Sequence, residues 1–252
     1  MSEFARTFPV VHAVTDSGAV IQPDFLDRAA SIMSALGSRG AIHLRSSRVT
    51  GKKFHEIASR LALVQMSTGC WLIVNDRVDI AAAVKARGVQ LASHSITVPD
   101  ARIVSSAIPV GASIHSVEEA KAAEDAGASW CVAGTVFETP SHAGRPPARI
   151  EFVEKVANAV SIPIIAIGGV KPEDVPALIN AGAHGIATIR GAAWDHVGES
   201  SDEDTNLMTT RLPFRPETAY VEPVTRYISA YDSISRANDP AHGERGTEGA
   251  GS

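Results

Sequence analysis

Along most of the chain, short β-branched runs alternate with longer stretches of helical spacing. The runs fall at 10–15, 41–46, 71–75, 88–92, 109–115, 130–136, 162–168 and 185–190, and each reads as a strand. Helical spacing fills the gaps. The stretch 23–36 opens with Pro23 in a first turn, where a missing N–H is harmless. The stretch 116–127 starts on a Ser116-to-Glu119 capping box and stops at Gly127. Segments 149–160 and 171–182 behave alike, and a last helix is predicted over 216–235, with Pro223 expected to interrupt or delay it.

Parallel strands buried on both faces give nearly unbroken apolar runs, and right-handed crossovers can close them into a ring. Eight strand–helix units in 252 residues therefore predict an α/β fold, a single (β/α)8 TIM barrel. An open doubly wound sheet fits less well, because no Gly-rich dinucleotide fingerprint follows the first strand. The barrel is expected to span 1–235. It includes a polar, acidic loop at about 195–214, and a small-residue tail, 236–252, is expected to be disordered.

Composition narrows the function classes. A net charge of -5 provides no basic field for nucleic acid or anionic lipid. Cys70 and Cys131 sit in apolar runs without disulfide or zinc spacing and read as buried thiols. No run approaches membrane-spanning length, so the cytoplasm is the expected location. A small molecule is the expected partner, with neither nucleic acid nor membrane, and homo-oligomer formation is left open.

In such barrels, functional groups gather at the C-terminal ends of the strands. Those ends offer His43 and Arg45, Asn75 and Asp76, Gln90 and Ser93, and Ser113 and His115. The sixth end runs into the stiff polar loop 134–147, "GTVFETPSHAGRPP", which carries Thr135, Glu138, Thr139, Ser141 and His142. Gly168-Gly169 and Arg190-Gly191 close the last two strands, where bare backbone N–H groups and a helix N-terminus can hold a phosphate. Asn75-Asp76 could be half of a magnesium site. With no second acid at a neighbouring end, Asp76 reads better as the acid opening the next helix.

The stretches "VNDRVDIAAAVKARGVQL", "GASIHSVEEAKAAEDAGASW", "GTVFETPSH" and "IPIIAIGGVKPEDVPALINAGAHGIAT" resemble the thiamine phosphate synthase/TenI superfamily over about residues 10–193. The resemblance implies one of two activities. Synthases join a hydroxymethylpyrimidine diphosphate to a thiazole phosphate with magnesium. TenI-type thiazole tautomerases aromatise a carboxythiazole phosphate without metal.

The synthase pattern Gln-x-Arg-x-Lys after the second strand is His43, Leu44, Arg45, Ser46, Ser47 here. Ser95 stands where the synthase completes its magnesium site with Asp, and His142 where its sixth loop carries Lys. These departures predict the tautomerase branch, a metal-independent isomerase without cofactor. The synthase, with magnesium, is the alternative; a non-catalytic ligand-binding or regulatory barrel is a third reading.

Some TenI proteins have a catalytic His where this chain has Thr135, so the acid/base role passes to His142, with His115 and Glu138 behind it. His43, Arg45, Asn75, Thr135, Thr139 and Ser141 would contact the substrate, and Gly168, Gly169, Arg190 and Gly191 its phosphate.

Overall fold

The computed structural model describes residues 3–139, 148–192, 194 and 218–237. The eight expected strands are all present: β1 (Val11–Val14), β2 (Gly40–Leu44), β3 (Trp71–Asn75), β4 (Gly88–Leu91), β5 (Val110–Ile114), β6 (Trp130–Gly134), β7 (Ile164–Ile167) and β8 (Gly185–Thr188). All pair in parallel in sequence order, and β1 closes on β8, so the predicted (β/α)8 barrel is the observed one.

Outside the ring lie α2 (Phe25–Leu36), α3 (Gly51–Thr68), α4 (Val78–Val84), α5 (Val98–Val104), α6 (Val117–Asp125), α7 (Arg149–Ala157), α8 (Val175–Asn180) and α9 (Thr218–Ala237). The capping box forms in part. Ser116 accepts the Glu119 N–H at 3.1 Å, but the Glu119 carboxylate turns to the His115 N–H at 2.6 Å.

Two prolines behave differently from expectation. Pro23 precedes the N-cap, Asp24, and lies outside α2. Pro223, the sixth residue of α9, sits inside the helix without ending it; it removes one backbone bond, and the packing of α9 against α2 and α8 outweighs that loss.

Side chains on a strand alternate between faces, and the ring sorts them. Outward residues such as Val11, Ala13, Ile42, Leu44, Leu72 and Val74 meet the helices. The inward set is different. Ala41, Ile73, Trp130, Val132, Ile165 and Ala187 form a separate core inside the barrel.

Trp130 is the largest of these and is fully buried. Gly88 and Gly111 make room for it, since a Cβ on either would strike its ring. The short helix α1 (Glu3–Thr7), which the periodicity did not predict, brings Phe4 and Phe8 against Trp71 and Trp130 and plugs the bottom of the ring. Five residues are too few for a helical period to be legible.

Candidate functional site at the mouth of the barrel

The plug leaves the other end open. A cavity of about 680 Å³ lies at the C-terminal ends of the strands, lined by residues from β1 to β8 but most densely by β2–β5 and the segments that follow them. That end is where functional groups of this architecture gather.

The floor is built from inward positions near the tops of four adjacent strands: His43 on β2, Asn75 on β3, Gln90 on β4 and Ser113 on β5. Below them the Trp130 indole N–H donates to Gln90 Oε1 at 2.8 Å. That bond orients the Gln90 amide, whose Nε2 donates to Ser113 Oγ at 3.1 Å. His43 is buried, with its Nε2 2.8 Å from Nδ1 of His12, one layer down on β1. His12 Nε2 in turn lies 2.9 Å from the Pro9 carbonyl oxygen. Burial pushes the His12 imidazole down to about 3 and, with His12 beside it, holds His43 well below the usual histidine range. Both rings are therefore neutral near pH 7.

The rim on the β2–β3 side is cationic. Arg45 follows β2, lines the cavity and is exposed; among the described residues its guanidinium has no partner. Arg77 also lines the cavity, with its guanidinium forked onto Asp79 at 2.9 and 2.6 Å. Its Nη1 lies 3.2 Å from where a Cβ on Gly51 would stand, over the first turn of α3. Thr50 caps that helix by accepting the Lys53 N–H. Gly51, the first residue of that helix, lines the same cavity, and a helix N-terminus is a favourable place for an anion.

Asp76 lines the cavity but neither opens α4 by a side-chain cap nor stands free. Its Oδ1 accepts the Ala92 N–H at 3.1 Å and the Ser95 hydroxyl, while its own N–H donates to the Gln90 carbonyl at 2.9 Å. The residue clasps the end of β3 to the end of β4, with φ at 63°. Magnesium is held by oxygen ligands in near-octahedral geometry. With one oxygen of its one carboxylate already committed to protein donors, and no cluster of three acids, histidines or cysteines among the described residues, this corner does not form a protein cage for that ion.

The remaining expected residues divide sharply. His115 and Thr135 line the cavity beside His43, Arg45 and Asn75. His115 is about half exposed and 3.5 Å from Glu119. Glu138 and Thr139 lie beyond the lining, and Glu138 is exposed. Ser141 and His142 lie outside the described residues, as do the whole 195–214 loop and most of the 236–252 tail.

Gly168 and Gly169 hold φ of 103° and 65°, in the region that favours glycine. A Cβ on Gly168 would collide with Thr135, and one on Gly169 would come within 2.5 Å of the Glu138 carbonyl oxygen. The two glycines let the loop after β6 lie directly on the loop after β7. Gly191 donates its N–H to Thr188 Oγ1 at 3.0 Å, and a Cβ there would strike the Tyr227 hydroxyl of α9. Arg190 is exposed on a 3-10 turn beyond the cavity lining.

Sequence reading named His43, Asn75, Gln90 and Ser113 as strand ends but missed His12, its contact with His43 and the Gln90–Ser113 bond. The signal was there: at every second residue, a polar group interrupts the inward face of an otherwise apolar run.

Comparison with known proteins agrees with this barrel. The thiamine monophosphate synthase family model matches residues 11–192. The thiamine-phosphate synthase of Pyrococcus abyssi is 36% identical over 160 residues, 63% of this chain and 77% of that protein. That of Salinispora arenicola is 34% identical over 218 residues, 85% of this chain and 97% of its own length. Among solved structures, thiamine phosphate pyrophosphorylase from Pyrococcus furiosus superposes with a TM-score of 0.71 at 24% identity, covering 91% of this chain and 98% of that one, a likeness of fold.

The expected isomerase is thereby corrected. The curated relatives carry the name of the synthase, a transferase, and not of a thiazole tautomerase. Local substitutions at His43, Ser47, Ser95 and His142 had favoured the tautomerase branch, but a handful of mouth residues carries less weight than similarity running through the whole barrel. With the family model spanning all eight strands, the chain belongs to the thiamine monophosphate synthase family.

Proposed function

We propose that this protein is a transferase that joins a pyrimidine diphosphate to a thiazole phosphate. The thiazole ring nitrogen forms a bond to the pyrimidine methylene carbon, and the bond from that carbon to the diphosphate oxygen breaks. The electron pair leaves with the diphosphate. The observation that carries this reading is the match to a thiamine-phosphate synthase over 97% of that protein's length.

The cavity chemistry supports it. Charge builds on the departing diphosphate, so donors fixed near the leaving oxygen lower the barrier. Arg77 stands over the first turn of α3, and Arg45, on the same cavity, can bind a phosphate through two parallel N–H groups. The polar floor would take the pyrimidine ring, and the Gly168-Gly169 turn the thiazole phosphate. No step is assigned to a metal, because the Asp76 corner is committed to Ser95 and Ala92.

The test is direct. Purified protein is mixed with hydroxymethylpyrimidine diphosphate and thiazole phosphate, with and without magnesium, and thiamine phosphate is followed by chromatography. Product formation above the protein-free rate is expected. Its absence under both conditions overturns the transferase reading; binding of either substrate without product would leave a ligand-binding barrel.

A further inference from the structure

The turns after β7 and β8 are joined by a hydrogen-bonded chain that passes through α9. The Gly191 N–H donates to Thr188 Oγ1 at 3.0 Å. Thr188 is also a hydrogen-bond partner of the Tyr227 phenol, and the phenol donates to the Val170 carbonyl oxygen at 2.9 Å. An N–H can only donate and a carbonyl can only accept, so both ends are fixed, and each hydroxyl between them directs its hydrogen toward Val170. Thr188 and Tyr227 are both buried, so water has little access to replace either link.

The turn after β7 needs such a tie. Gly168 and Gly169 hold positive φ, and a residue without a Cβ does little by itself to keep its backbone in one conformation. The carbonyl side of the turn is held at two points. The Gly168 oxygen accepts the Phe137 N–H at 2.9 Å, and the Val170 oxygen accepts the phenol. The other side differs: among the described residues, the N–H groups of Gly168 and Gly169 have no acceptor. Successive backbone N–H groups in such a turn can form a concave donor for an anion. The Gly191 N–H, by contrast, is committed to Thr188 and serves the tie.

We propose that Tyr227 is a positioning residue: its hydroxyl, backed by Thr188, holds the Val170 carbonyl and with it the Gly168-Gly169 turn in the conformation that presents its N–H groups to one phosphate. The tie rests on the hydrogen bonds alone. That the phosphate is the one carried by the thiazole rests on the transferase reading. Tyr227 does not line the cavity, so its loss should act on one substrate and spare the other, whose diphosphate is assigned to the Arg45 rim.

The first test needs no turnover. Full-length protein labelled with nitrogen-15 is titrated with inorganic phosphate, and the amide resonances of Gly168 and Gly169 are followed. Both should move together in wild type, and Tyr227→Phe, which removes only the hydroxyl, should weaken phosphate binding about tenfold. Amides that ignore phosphate in wild type overturn the proposal, and so does a folded Tyr227→Phe protein that binds phosphate as wild type does.

The second test is kinetic. Tyr227→Phe should raise the KM for thiazole phosphate about tenfold while kcat and the KM for the pyrimidine diphosphate stay at wild-type values. Equal rises in both KM values would show a merely structural role. Thr188→Val breaks the middle of the chain and should give the same selective rise. The double variant should be no worse than the more affected single, because both break one chain; effects that multiply would show two independent contacts and overturn it. Should Tyr227→Phe fail to fold, Thr188→Val carries both tests. If wild type binds phosphate at the turn but forms no thiamine phosphate, the transferase reading fails and the positioning role stands on the titration.

Discussion

The two halves of the barrel mouth use different parts of the polypeptide. Over β2–β5 the chemistry lies in side chains: His43, Asn75, Gln90 and Ser113 make the floor, and Arg45 and Arg77 the rim. Over β7–β8 it lies in the backbone. Gly168 and Gly169 press against the loop after β6, and Gly191 against Tyr227. A side-chain site can change its ligand preference one residue at a time while the ring stays intact. A backbone site is tied to the path of two loops and a helix, so substitution there costs fold and binding together. The chain follows that division. Three of its four departures from the synthase pattern, at His43, Ser47 and Ser95, fall on the side-chain half, and Gly168, Gly169 and Gly191 stand on the other; the fourth departure, His142, belongs to the sixth loop.

The largest effect that would sharpen this contrast is expected from Gly169→Val. The backbone sits at φ of 65°, and the added Cβ would come within 2.5 Å of the Glu138 oxygen and 2.9 Å of Phe137 Cβ. Left-handed strain in a β-branched residue and overpacking together should cost about 3 kcal/mol or more. A denaturant midpoint matching wild type would show that the two loops yield independently.

Acid should act next, through the floor. The buried His12, His43 and His184 all have folded values below the usual one, His12 at about 3. The unfolded chain binds more protons below about pH 6.5, so their contribution is present above that value and lost as the pH falls toward about 3. The thermal midpoint should hold from pH 8 to 7 and drop by roughly 10 °C by pH 4.5. A midpoint flat to pH 4.5 would mean that these histidines are already solvated.

Arg45→Ala should have the smallest effect on stability, because the side chain is exposed. It should raise the KM for the pyrimidine diphosphate about 10- to 100-fold, as loss of a charge-assisted contact does, and leave the thermal midpoint within about 1 °C. An unchanged KM would take the diphosphate away from this rim.

Much of the fold was legible because burial on both faces leaves a pattern that composition cannot hide. All eight strands appear where apolar runs predicted them, to within about two residues. The candidate site was legible in part. Strand ends point to a common mouth, and His43, Arg45, Asn75, His115 and Thr135 do line one cavity. The role of Asp76 was misread, because its carboxylate is committed to Ala92 and Ser95 on the next strand rather than to its own helix. Such partners are neighbours only after the sheet has paired. The branch of the family was misread for a related reason: a few substituted positions were weighed against one another without their surroundings.

The sequence alone determined the alternation of strands and helices, hence the barrel, because hydrophobic period is a local property. The tertiary structure decided what each polar residue faces. His12 lies 31 residues before His43, and Gln90 lies 40 before Trp130. Only closure of the ring places those pairs within hydrogen-bond distance. There the scarcity of water makes each unsatisfied donor or acceptor costly, and that cost gives the mouth its chemical direction.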